Sequence, residues 1–234
     1  MNHTGRGVVV TGGSSGIGRA IADAFIANGD RVVVFDRAGT DESAIGVDVA
    51  QEDGVRAAFV LARERLGTID ILVNSAGLLT ESPMQDMTLE MWNETLAVDL
   101  TGVFLCCREV VGEMRQQKWG RIINIASQLA IKGGTGLSHY AAAKAGVVAF
   151  TKSLALEVAG DNVLVNSIAP GPIETPLVQG ISEEWKIAKR AELPLGRFGI
   201  AAEVAPTALL LASEPGGNLY VGQTLGPNSG DVMQ

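Results

Sequence analysis

Aromatic side chains make up only 5% of the 234 residues, so a core here must be filled by alanine, valine, leucine and isoleucine within the 47% of hydrophobic residues. Cysteine is scarcer still. Cys106 and Cys107 are adjacent, and a disulfide between neighbours would be strained, which excludes a disulfide framework. The two histidines, His3 and His139, complete no Cys or His spacing of a zinc site, so no metal is expected. Basic residues number 18 against 26 acidic ones, a formal charge of -8 and a pI of about 4.8. That balance argues against a nucleic-acid partner, because displacing phosphate counterions takes a basic surface. No apolar run approaches the ~20 residues of a membrane-spanning helix. Met1-Asn2-His3-Thr4-Gly5 also lacks the apolar core of a secretion signal, so a cytoplasmic protein without a membrane partner is expected. No Pro- or Ser-rich linker, repeat or low-complexity segment divides the chain, and residues 1–234 read as one domain.

What the chain does contain is alternation. Short buried runs at Val8–Val10, Val32–Phe35, Ile45–Val47, Ile69–Val73, Ile122–Ile125 and Leu164–Ile168, with a seventh around Gln223–Leu225, are separated by helix-length amphipathic segments. This is the pattern of an α/β protein with a parallel sheet of about seven strands and helices on both faces. The first run leads straight into Thr11-Gly12-Gly13-Ser14-Ser15-Gly16-Ile17-Gly18. Ile17, Ala20, Ile21, Ala24 and Phe25 then share one helical face up to Asn28-Gly29. A glycine-rich turn between strand and helix lets backbone amides approach a pyrophosphate, and the positive end of the helix dipole holds it despite an acidic chain. Asp36 ends the second strand, where a dinucleotide site presents an acid to the adenosine ribose, and its charge would repel a 2′-phosphate. NAD is therefore expected over NADP. Arg37 keeps NADP open, since a guanidinium there could pair with that phosphate.

Tyr140 and Lys144 lie four residues apart in an alanine-rich helix, which puts both on one face. A phenol titrates near ~10, too high for a base at neutral pH. An ammonium about 4 Å away, at an effective dielectric of about 20, would favour the phenolate by roughly 4 kcal/mol. That is worth roughly 3 pKa units, so Tyr140 is expected to titrate near ~7. His139 is turned about 100° from Tyr140 and should not share its face.

These residues resemble the short, single-domain branch of the short-chain dehydrogenase/reductase family, with Thr11-Gly12-x-x-x-Gly16-x-Gly18 and Tyr140-x-x-x-Lys144 as its two signatures. The likeness covers nearly the whole chain. It implies a Rossmann-type doubly wound sheet and a nicotinamide cofactor. Gly12, Ser14, Ser15, Gly16, Ile17 and Gly18 would hold the phosphates, with Asp36 and Arg37 at the adenosine ribose. Asp48 and Val49 would meet the adenine, and Asn74, Ala76 and Gly77 would underlie the cofactor ribose. Pro170, Gly171, Ile173 and Thr175 would form the nicotinamide-side loop. By the same resemblance Ser127, thirteen residues before Tyr140, polarises the substrate carbonyl, and Lys144 also holds the nicotinamide ribose.

Three positions depart from the family pattern. Asp99 stands where an asparagine usually completes a catalytic tetrad. An ionised carboxylate near Lys144 would weaken the field on Tyr140, whereas a site using the backbone carbonyl would tolerate the exchange, and tolerance is the expectation. Ser75 replaces an asparagine beside Asn74, which is expected to tie neighbouring strands through its side chain. Pro227-Asn228-Ser229-Gly230 replaces a double glycine and could reshape a subunit contact.

The expected chemistry is reversible hydride transfer between a secondary alcohol and a ketone, with Tyr140 exchanging the hydroxyl proton, Ser127 steadying the carbonyl, and Asp99 at the water-positioning site. Residues 173–198 read as an amphipathic substrate lid that mixes Leu177, Val178, Ile181 and Trp185 with Glu183, Glu184, Lys186, Lys189 and Arg190. Likeness to 3-oxoacyl carrier-protein reductases suggests an acyl thioester, although such enzymes commonly use NADPH. A small cyclic or sugar-like alcohol stays open. A noncatalytic NAD-binding regulator or scaffold is the alternative of another class. The resemblance also implies a homotetramer paired through segments 100–116 and 141–158.

Overall fold

Val8, Val9 and Val10 are fully buried, as a strand covered on both faces requires, and they form the middle of β1 (Gly7–Thr11). The computed structural model describes residues 5–39, 44–178 and 183–233; His3 and the lid residue Ile181 fall outside them. From β1 the chain passes through α1 (Gly16–Ala27), β2 (Arg31–Asp36), β3 (Ala44–Gly46), α2 (Glu52–Leu66) and β4 (Ile71–Asn74). It continues through α3 (Leu89–Leu96), a π-helical turn at Ala97–Thr101, α4 (Gly102–Gln117), β5 (Gly120–Ile125), the short α5 (Leu129–Lys132) and α6 (Ser138–Val158). Then come β6 (Val163–Ile168), β7 (Ile173–Glu174), α7 (Glu183–Glu192), β8 (Gly199–Ile200), α8 (Ala201–Leu211) and β9 (Thr224–Leu225).

Among the described residues seven strands form one parallel sheet in the order β3-β2-β1-β4-β5-β6-β9, the doubly wound arrangement expected. Register carries the two-faced core. Val33, Val9, Leu72, Ile122 and Val165 run as neighbours across five strands, and all pack against α2, α4 and α6 through residues such as Phe59, Val110 and Val147. One residue along, Val34, Val10, Val73 and Ile123 form the next row and face α1 and α8 through Ile21, Phe25, Val204 and Ala208. Alternation with period two thus feeds one core per face from valine, isoleucine and leucine.

The short pair β7 and β8 forms a second sheet that the sequence pattern does not reveal, and it ties the two ends of the 173–198 segment together. Between them α7 buries none of its residues; Trp185 stands edge-on to Phe198 at 6.3 Å, and the Arg190 guanidinium lies 5.0 Å from that ring. Cys106 and Cys107 are free and buried on α4. Loss of solvation pushes the Cys107 thiol up to about 12, so it stays neutral. The Pro227–Gly230 tail packs within the chain, where the Gly171 amide donates to the Pro227 carbonyl at 3.1 Å and Asn228 is buried.

Candidate active site

Parallel strands deliver their loops to one edge of the sheet, and the loops after β1, β2, β4, β5 and β6 enclose a single cleft of about 650 Å³. At one end lies the glycine-rich turn. Gly18 packs so tightly on it that a Cβ there would fall 2.3 Å from the Gly12 carbonyl oxygen. The start of α1 is open: Ser15 makes no side-chain cap and the first turn holds no acid, so amides are left for an anion. Thr11, outside the expected site residues, braces this turn by accepting the Ser75 and Ala76 amides at 3.0 Å each. Asp36 faces the same cleft and accepts the Ser14 amide at 3.1 Å, while Arg37 is exposed beside it.

Further along, Asp48, Val49, Ala76 and Gly77 line the middle of the cleft, and Pro170, Gly171, Ile173 and Thr175 line the opposite wall. Gly12, Ser15, Gly16, Ile17 and Gly18 line it as well, whereas Ser14 does not, its amide being taken up by Asp36. Asn74 does not reach the cleft. Its amide donates to Asn124 at 2.8 Å, and Asn124 donates to Thr151 at 2.9 Å, so the expected tie between strands is present and the Asn74 side chain is committed to it. The reason is the pleat, which turns the Asn74 side chain into the helix layer next to Cys107.

The catalytic candidates meet at the far end. Ser127 follows β5, Tyr140 and Lys144 rise from the first turns of α6, and all three line the cleft. Ser127 accepts the Leu129 amide at 3.1 Å, and its hydroxyl faces Tyr140, where it lowers the phenol. Lys144 Nζ donates to the Ile125 carbonyl at 3.1 Å and lies 5.6 Å from the centre of the Tyr140 ring. Asp99 sits in the π-helical turn, an irregularity that frequently marks functional sites. It is fully buried, accepts the Leu78 amide at 2.8 Å, and holds Lys144 Nζ at 3.4 Å as an ion pair rather than a well-formed hydrogen bond.

This arrangement bears on two expectations. At position 99 it is the carboxylate that faces Lys144 and the Leu78 amide, beside whatever the backbone carbonyl contributes. Around Tyr140 the neighbours oppose one another: burial pushes the phenol above its ordinary value, Lys144 pulls it down, and Asp99 pushes it back up. Asp99 is itself raised by burial, against the pull of Lys144 and the Leu78 amide. Lys144 loses solvation too, but Asp99 and Tyr140 outweigh that loss and hold it as an ammonium. His139 is turned away as expected; it is buried, with Nε2 3.0 Å from Thr80 Oγ1.

A short chain dehydrogenase family profile matches residues 6–186. The chain belongs to that family. It is 41% identical over 225 residues, 90% of this chain and 91% of the relative, to 3-oxoacyl-(acyl-carrier-protein) reductase FabG of Aquifex aeolicus. It is 36% identical to the protein of the same name from Escherichia coli, with all of both chains covered. A solved structure titled "Crystal structure of gox2181" superposes with a TM-score of 0.91 at 30% identity, covering 98% of this chain and 96% of that one. This short-chain dehydrogenase is accordingly an NAD(P)-dependent oxidoreductase that interconverts an alcohol and a ketone. The open helix start, the close-packed glycine turn and the acid at the end of β2 fit a dinucleotide. Among the described residues no helix is long and apolar enough to cross a membrane, and no cluster of three or more His, Cys, Asp or Glu is placed to hold a metal.

Sequence reasoning missed one part of the cleft. Asp231, near the end of the chain, accepts Gln128 Nε2 at 2.5 Å, Lys132 Nζ at 2.8 Å and Lys189 Nζ at 2.8 Å, joining the tail to α5 and α7. No local signal could reveal it, because two of its partners lie 99 and 103 residues away.

Proposed function

We propose that this short-chain dehydrogenase is an NAD-preferring ketoreductase of 3-oxoacyl thioesters, acting reversibly on the 3-hydroxyacyl product. The observation that carries the reading is the meeting of Ser127, Tyr140 and Lys144 in the cleft that also holds the glycine turn and Asp36. When bound, the nicotinamide supplies or accepts the hydride. Tyr140 moves the proton at the substrate oxygen, and Ser127 steadies that oxygen by a hydrogen bond. Lys144, anchored on the Ile125 carbonyl, holds the nicotinamide ribose. The turn Gly12–Gly18 and the amides of α1 hold the phosphates, and Asp36 accepts from the adenosine ribose.

The names of the relatives support the thioester, as does the mixed cleft end formed by Leu79, Leu137, Val178, Trp185 and Phe198 beside Lys132 and Lys189. Segment 173–198 acts as the substrate lid of a single domain. A cytoplasmic homotetramer belongs to the same reading, supported by the outer faces of α4 and α6, where Phe104 is 41% exposed and stands edge-on to Phe150. Arg37, exposed at the cleft, supports NADP as the second reading. A panel of 3-oxoacyl thioesters, cyclic ketones and sugar-like ketones, run separately with NADH and NADPH and followed by nicotinamide absorbance, tests both. Thioester turnover with NADH at the higher kcat/KM is the expected result. Tight nucleotide binding with no turnover on any substrate would instead identify a noncatalytic regulator.

A further inference from the structure

Besides the Ile125 carbonyl, the Lys144 ammonium has two titratable neighbours, the Tyr140 phenol and the Asp99 carboxylate. The Tyr140 ring centre lies 5.6 Å from it, and an Asp99 carboxylate oxygen lies 3.4 Å from it as an ion pair. Gly77 passes directly over this pair: a Cβ there would sit 3.4 Å from Lys144 Nζ and 3.5 Å from each Asp99 oxygen. The carboxylate therefore lies immediately behind the cleft wall, fixed by the Leu78 amide at 2.8 Å, and cannot swing into solvent without dismantling that bond. A cation held in an ion pair presents a short dipole to the phenol instead of a bare charge, and a dipole's field falls off faster with distance.

We propose that Asp99 is a positioning residue which cancels much of the Lys144 field on Tyr140, so that the tyrosine keeps its proton at neutral pH and the enzyme is set for carbonyl reduction. This rests on the reading of Tyr140 as the acid/base. In that direction the Tyr140 O–H bond breaks and its proton forms the new O–H of the product, while hydride from the reduced nicotinamide forms the C–H bond; the tyrosinate then regains a proton from solvent. Reduction needs the phenol and oxidation needs the phenolate, so a group that favours the phenol favours reduction across the neutral range. The groups facing the cluster are few. Lys144 and His139 on α6 face Asp99, and Lys144, Asp99 and the Ser127 hydroxyl face Tyr140. Burial and Asp99 both lift the phenol, in the direction the geometry requires.

The test is a spectrophotometric titration of tyrosinate absorbance in nucleotide-free protein. The chain has two tyrosines, and subtracting the Tyr140→Phe curve isolates Tyr140 from Tyr220. Asp99→Asn keeps an acceptor for the Leu78 amide, and Asp99→Ser is a second neutral variant; near-UV circular dichroism selects those that fold. The expected result is a fall in the Tyr140 midpoint of about one pH unit or more, with alcohol oxidation at neutral pH rising about tenfold and the alkaline limb of reduction moving down equally. A midpoint within about 0.3 units of wild type in folded variants overturns the proposal, whatever happens to turnover. A lowered midpoint in a protein that turns over no substrate upholds the role of Asp99 and sinks the ketoreductase reading instead.

Discussion

At the nucleotide end of the cleft the surface is backbone: a glycine turn, the uncapped start of α1, and one acid at the tip of β2. At the catalytic end it is buried side chains whose charges offset one another, Asp99 against Lys144 and both against the Tyr140 phenol. A site made of backbone keeps its properties wherever the right turn is present, because amides and helix ends bring their own fixed dipoles. A site made of buried charges takes its properties from neighbours, since removing water makes each pair dominate the next. The first end is consequently tuned by shape and the second by electrostatics.

Substitutions should separate the two ends. The largest effect belongs to Tyr140→Phe, expected to lower turnover by ~10²–10⁴ or more while nucleotide affinity, read by fluorescence titration, stays within about twofold. Comparable loss of affinity would show that the two ends are not independent. Gly18→Ala acts at the other end: with its Cβ 2.3 Å from the Gly12 oxygen, the turn has to shift, costing about 1–3 kcal/mol of stability in denaturant unfolding and weakening nucleotide binding. An unchanged unfolding midpoint would mean the turn is softer than its packing indicates.

Asp36→Asn should leave turnover with a saturating cofactor near wild type but move the ratio of kcat/KM for NADPH over NADH upward by about tenfold, about 1.4 kcal/mol of discrimination. If the ratio does not move, Arg37 rather than Asp36 sets cofactor choice. Asp231→Asn is expected to have the smallest effect, loosening Lys132 and Lys189 and raising KM by less than about tenfold at little change in kcat. A fall in kcat instead would tie the tail to the chemical step.

Much of this could be read from residues alone. Val8–Val10, Val32–Phe35 and Leu164–Ile168 are valine- and isoleucine-containing, largely buried runs of strand length, and each is a strand within a residue or two of the expected bounds. The glycine turn, Asp36, Ser127, Tyr140 and Lys144 converge because each follows a parallel strand or opens the helix after one. What escaped depends on long-range pairing. The β7–β8 pair has two residues per strand joined across the 173–198 segment, too little pattern to see. The direction of the Asn74 side chain is likewise set by the pleat, which aims it at Asn124 rather than into the cleft.

The sequence by itself determined the layered architecture, through period-two burial in the strands and amphipathic helices between them, and it determined the backbone cradle, because only glycine permits so close an approach around Gly18. Only the tertiary structure decided the surroundings of Tyr140. Burial raises its phenol, Lys144 lowers it, and a carboxylate forty-one residues earlier in the chain, placed by a π-helical turn 3.4 Å from Lys144, raises it again; spacing along a helix reports neither the burial nor a charge brought in from another element.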